Sequence, residues 1–187
     1  MNIFFVHSDP LIAAQSLVDR HVVKMILETA QLLSTAHRVL DGTEYVGQSN
    51  SGRKAKRWRL ANDNNDQLMY QATHINHPSA VWCRQSNTNY NWLFNHFVGL
   101  MSEYQYRYGK SHACAKLTHC LQSSPKNIPI GYFTQPTPAM DAKYIISNNS
   151  IENYRNYYIH GKTSLHKYTK RQMPDWLLEK TNGNIHI

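Results

Sequence analysis

Cysteine is scarce: Cys83, Cys114 and Cys120 are odd in number and show no CxxC spacing. That argues against a disulfide framework or a thiolate zinc site and fits reduced thiols in a cytoplasmic compartment. Glycine is sparse too, eight scattered residues, so no Gly-rich loop is present to cradle phosphates. No nucleophile-elbow motif supports a Ser or Cys triad. No apolar run approaches the length needed to cross a bilayer, and the N-terminus lacks a basic-then-apolar signal pattern. Repeats, low-complexity tracts and convincing period-2 strands are missing as well, which leaves a mainly α fold. Acid is short of base, 12 Asp and Glu against 20 Lys and Arg, for a formal net charge of +8. Such an excess favours a polyanionic partner, nucleic acid first and an anionic membrane surface second.

The chain has 187 residues, 41% of them hydrophobic, with 12 Tyr and 4 Trp. That suffices for one globular domain with a sizeable core, taken here as 1–187. The longest helical signal is centred on residues 21–28. Val22, Met25, Ile26, Leu32, Leu33 and Ala36 recur at helical spacing and predict one broad core face. Through it runs a polar seam of His21, Lys24, Glu28, Gln31 and Thr35, which fall within roughly 80° of one another. Burying such groups is costly unless they are paired or used. An exposed face with Lys24 and Glu28 as an i, i+4 pair accounts for the same pattern.

In chain order, residues 1–7 read as an extended segment. Asp9-Pro10 starts a helical pattern that ends at Asp41-Gly42, with a break near Val18-Asp19 and Asp19 as the second cap. Residues 41–60 read as a loop, its basic part spanning 47–60. Helices are predicted over 64–73, from Pro78 to Arg84, over 87–108 with a stop at Gly109, over 111–121 and over 151–159. Pro125, Pro129, Pro136 and Pro138 make 122–140 a long ordered loop. The tail 160–187 is basic with interleaved aromatics.

Arg53, Lys54, Lys56, Arg57 and Arg59 surround Trp58 in the densest cationic cluster of the chain. A solvated loop explains it, but the overall charge favours phosphate contacts with Trp58 stacking or wedging. The tail offers a second set in Lys167, Lys170, Arg171 and Trp176. His74-x-x-His77 could supply two metal ligands, completed by His21 or Glu28. His37 lies half a turn away from Glu28, and the histidine pair sits before a proline, so no metal site or cofactor is expected. An amine is the remaining nucleophile. Terminal α-amino groups titrate near pH 8, so a useful fraction is neutral, and beside a carboxylate one could attack a sugar C1′ and expel the base.

Asp19-Arg20-His21, with Glu28 seven residues after the histidine, resembles the first helix of the pyrimidine-dimer DNA glycosylases of the phage endonuclease V type. His77-Pro78 resembles a His-Pro in the middle of bacterial members. Glu103 through Arg107-Tyr108-Gly109 is similar to the end of one of their helices, and Arg171…Pro174-Asp175-Trp176 to a segment near their C-terminus. The resemblance implies a compact helical fold with long ordered loops and a glycosylase/AP lyase acting on damaged or modified pyrimidines in double-stranded DNA. It implies the Met1 amine as nucleophile, Glu28 as the acid, and His21 and Lys24 orienting it and binding phosphate. Gln31, His74, His77 and Arg107 would join the basic residues as DNA contacts. The implied setting is the cytoplasm of a bacterial or phage-infected cell, with no cofactor, membrane or obligate protein partner. Leu27 and Gln31 stand where phage members carry Arg, and Leu177-Leu178-Glu179-Lys180 replaces their aromatic-basic tail. Asn2 is a poor penultimate residue for methionine removal, which leaves the amine on Met1. Two other readings compete: a metal-dependent hydrolase or nucleotide-modifying enzyme built on His21, Glu28, His74 and His77, and a non-catalytic DNA-binding accessory protein.

Overall fold

The computed structural model describes residues 1–49 and 51–182, the last three by their backbone alone. The expected basic loop and C-terminal tail therefore lie partly outside the described residues, at 50 and at 183–187.

Asp9 caps α1 (Pro10–Gln15), its carboxylate accepting the Leu11 and Ile12 N–H groups at 2.8 and 2.9 Å. These are two of the donors that a helix start leaves orphaned. The chain breaks at residues 16–18 and resumes as α2 (Asp19–Asp41). Asp19 is not the cap; Val18 holds that place without a side-chain bond, and the Asp19 carboxylate turns to Arg107 and Thr169. At the other end Gly42 has φ −86°, so no left-handed cap is formed. Glycine is needed there for closeness instead. A Cβ would stand 2.5 Å from the Arg38 carbonyl oxygen and 2.9 Å from the Trp58 Cβ.

That close approach seats a hairpin on the end of α2. β1 (Thr43–Gln48) and β2 (Lys54–Arg59) pair antiparallel, Thr43 opposite Arg59 and Gln48 opposite Lys54. The expected loop at 47–60 is thus half of a two-stranded sheet. Its strands carry no apolar face: β1 is exposed except at Gly47, and in β2 only Trp58 is buried. α3 (Asp63–Leu68) stops five residues short of the expected helix, and 69–77 continues irregularly beside α2. α4 (Pro78–Cys83) is capped by His77, whose Nδ1 accepts the Ser79 N–H. α5 (Asn87–Tyr108) is capped by Ser86 and ends in Gly109 at φ +67°, as its sequence predicts. A 3-10 turn (Ala113–Leu117) leads into α6 (Thr118–Leu121). The irregular stretch 122–140 follows, then another 3-10 turn (Ala142–Tyr144) and α7 (Ser150–Gly161). α8 (Asp175–Asn182) is a helix within the tail that the sequence reading did not anticipate.

The fold is mainly α, and its core gathers Phe5, Val22, Met25 and Ile26 with Trp82, Leu93, Phe97, Tyr154 and Tyr158. Among the described residues no helix is long and apolar enough to cross a membrane. Two arginines are built into the interior. Arg107, 2% exposed, bonds Asp19 at 2.9 Å and Glu103 at 2.7 Å, and Arg171 reaches the same Glu103 at 2.9 Å. This network ties α2, α5 and the tail together. Arg38, fully buried, spends its guanidinium on the carbonyls of Trp58, Asp66, Met69 and Tyr70 and on the Asp66 carboxylate. It fastens the hairpin and the segment after it to α2.

A candidate site at the start of the chain

Asn2 organises the first residues. Its side-chain oxygen accepts the Ile3 and Phe4 N–H groups at 2.8 and 3.1 Å, and its amide nitrogen donates to the Ala139 carbonyl at 2.8 Å. Phe4 is held at φ +53°, a left-handed conformation that costs a non-glycine residue about 1–2 kcal/mol. Its ring stacks on His21 with centroids 4.1 Å apart. The tight turn brings the Asn2 backbone N–H to within 2.9 Å of the Glu28 Oε2. One residue of backbone separates that nitrogen from the Met1 amine, so the amine stands within about 7 Å of the same carboxylate oxygen.

Glu28 is 14% exposed, and its second oxygen lies 3.3 Å from the Lys24 ammonium, which is 68% exposed. His77 stands in the same neighbourhood. Its basicity is lowered, first by burial and then by the positive N-terminus and His74, while Glu28 pulls the other way. Neutral His77 accepts the Ser79 N–H and so fixes the start of α4. His74, exposed and itself left-handed at φ +48°, bonds the Thr73 hydroxyl at 2.7 Å.

The seam on α2 continues away from this cluster. Gln31 lines an open groove of about 560 Å³ together with Tyr70, Thr73, Ser49 and Arg57. The Thr73 N–H donates to Thr35 at 3.2 Å, which holds the irregular segment against the helix. Met1, Lys24, Glu28 and His77 therefore meet at one end of the seam, and Gln31 and Arg57 at the other.

Several sequence-derived site residues are placed elsewhere. His21 is buried and bonds the Tyr158 hydroxyl at 2.6 Å rather than Glu28, with its pKa lowered to about 3 by burial and by Lys162, Lys24 and Arg20. It is a neutral core histidine and does not orient the acid. Trp58 is 8% exposed, packed beneath β2, and has no face free for a base. Arg107 and Arg171 are committed to Glu103, and Arg171 also lies 4.4 Å above the Tyr106 ring. Trp176 is half-buried, with Arg155 5.2 Å above its ring. Lys170 bonds the Tyr106 carbonyl, and Lys167 is exposed. Arg53, Lys54, Lys56 and Arg59 remain exposed on the hairpin, Lys56 paired with Glu44 at 2.9 Å and Arg59 5.2 Å from the Tyr45 ring. Among the described residues no three His, Cys, Asp or Glu side chains are grouped to hold a metal ion.

Asn2 is the residue that sequence reasoning missed. An Asn that closes a turn on its own backbone two residues on is a recognised local signal, but its partners Glu28 and Ala139 are fixed only by the fold. No known protein family, curated protein or solved structure matches the chain.

Proposed function

We propose that this protein is a DNA base-excision enzyme of the glycosylase/AP-lyase type, working through its first amine and Glu28. One observation supports the reading above all: the Asn2 N–H sits on the Glu28 carboxylate, which keeps the Met1 amine within about 7 Å of an acid whose other oxygen pairs with Lys24. Neutral Met1 nitrogen attacks C1′ of an extruded nucleotide, and the glycosidic electron pair leaves with the base. Glu28 stabilises the positive charge that develops on the sugar. The nitrogen loses a proton, the C1′–O4′ bond breaks with its electron pair and a proton going to O4′, and a protonated imine is left; a carboxylate at this place then takes the C2′ proton so that the 3′ phosphate departs by β-elimination. His77, its Nδ1 lone pair taken by the Ser79 N–H, is left with Nε2–H as a donor in this neighbourhood. The exposed hairpin cations and the Gln31–Arg57 groove supply the surface for a double-stranded substrate.

Borohydride trapping on ultraviolet-irradiated duplex tests this. Wild type is expected to give a covalent adduct that disappears on Glu28→Gln and on acetylation of the terminus. Absence of an adduct, or one that survives both changes, refutes the mechanism.

A further inference from the structure

Beside this site lies a column of rings that the excision chemistry leaves unused. Phe4, stacked on His21, is 6.3 Å from Tyr157 and parallel to it within 18°. Tyr157 in turn packs on Tyr144 with centroids 4.7 Å apart. Lys162 stands 4.6 Å from the Tyr157 ring centre and Lys143 5.0 Å from that of Tyr144. Both tyrosines are half-buried, so the column runs from the core to the surface.

The outer pair is fixed in place. A Cβ on Gly161 would fall 2.6 Å from Tyr157 Cδ2 and 2.8 Å from Tyr144 Cζ, so the bare glycine lets both rings lie against the end of α7. The surroundings are cationic. The charged groups acting on His21, at the inner end, are Lys162, Lys24 and Arg20. Asp141 pairs with Lys143 at 3.6 Å. The column also adjoins the turn that carries the Asn2 N–H to Glu28: Phe4 is its inner ring, and the Asn2 side chain bonds the Ala139 carbonyl, five residues before Tyr144.

We propose that Tyr144 and Tyr157, with Lys143 and Lys162, form a stacking subsite for an unpaired nucleotide of the bound DNA strand. A pre-set aromatic pair flanked by ammonium groups suits any base face together with its phosphates. The base takes the place of the Lys143 ammonium on Tyr144, and that ammonium passes to the adjoining phosphate. The inference rests on the reading of the protein as DNA-binding and adds to it the place where the opened strand is held.

The test is fluorescence anisotropy of the full chain carrying Glu28→Gln, so that no chemistry intervenes. Two labelled probes of equal length are compared, oligothymidylate and an oligomer of tetrahydrofuran abasic residues, which has the same phosphates but no aldehyde for the Met1 amine. The subsite requires the thymidylate to bind roughly tenfold tighter. Tyr144→Leu should erase most of that difference, Tyr144→Phe should keep it, and Lys143→Gln, a change to an exposed side chain, should weaken both probes. Equal affinity for the two probes, or a difference that survives Tyr144→Leu, overturns the proposal. Tyr144→Phe and Lys143→Gln keep the test decisive should Tyr144→Leu fail to fold. A protein that prefers the thymidylate yet traps no adduct loses the excision mechanism and keeps the subsite. One that traps an adduct and binds both probes alike does the reverse.

Discussion

Acid should unfold this protein unusually early, because three histidines are buried in the neutral form. His21, His37 and His96 are 6%, 8% and 0% exposed, and burial lowers their pKa values to about 3, about 4 and about 4 from an ordinary 6.5. His96 is the starkest case. Its Nδ1 bonds the Pro10 carbonyl at 2.9 Å, while its buried Nε2 faces no partner, so a second proton there would have no acceptor. The unfolded chain binds these protons from pH 6.5 downward and the folded chain does not, so stability falls as pH drops below 6.5 and levels off only beneath the folded values. At pH 5 each histidine costs about 2 kcal/mol, and the three together about 6 kcal/mol. That rivals the whole stability of an ordinary domain, about 5–15 kcal/mol. The carboxylates do not confuse the window. Burial raises Asp19 and Asp66, but bonds from Thr169 and Leu60 and the charges of Arg107 and Arg38 outweigh it, so their contributions fade only below the ordinary 3.8. Urea titration at pH 7 and pH 5 reads the effect. With a slope of about 2 kcal/mol per molar, the midpoint should fall by about 3 M. His96→Gln should reduce that fall by about a third. A midpoint that moves by less than about 0.5 M would show that these histidines take up protons without leaving the fold.

Two further outcomes follow from the buried and exposed cations. Arg38→Met removes the guanidinium bonds to the Trp58, Asp66, Met69 and Tyr70 carbonyls and leaves the Asp66 carboxylate with the Leu60 N–H; it should cost about 3–5 kcal/mol in urea and open residues 43–69 to protease before the rest of the chain. A variant that keeps wild-type stability would contradict the role given to this residue. Replacing Lys54, Lys56 and Arg59 together by serine should leave folding intact and reduce the slope of log affinity against log salt on duplex DNA by about 3. An unchanged slope would remove the hairpin from the DNA surface.

What the sequence disclosed was local. The Asp9 cap, the proline starts at Pro10 and Pro78 and the glycine stop at Gly109 act through bonds within a turn, so their residues announce them. The hairpin was hidden because β1 is exposed except at Gly47, and its strands lack the alternation that betrays a half-buried strand. Arginine posed the opposite difficulty. The family resemblance put Arg107 among the DNA contacts. It is buried because Asp19, 88 residues away, waits at the start of α2. Trp58 failed as a stacking residue for a similar reason: the β2 register turns it beneath the strand while its cationic neighbours face out. The seam on α2 was legible as a pattern, but its division into a core histidine, an acid at the chain's first residues and a groove-lining amide depended on what the fold laid against it.

The strain at Phe4 is the strongest sign that the placement of the first residues matters to the molecule. A left-handed phenylalanine persists only where its surroundings over-determine it, and here they do. Asn2 draws in the Ile3 and Phe4 N–H groups, while His21 and Tyr158 clasp the ring face-on and edge-on. An extended entry into the core would bury the same ring without the backbone cost. What the turn adds is position: it lays the Asn2 N–H on Glu28, anchors 122–140 through Ala139 and sets Phe4 at the head of the tyrosine column. Acid, amine and ring column are thus coupled through one four-residue turn. A change that merely straightened it would be expected to separate the three while the helices around them stayed packed.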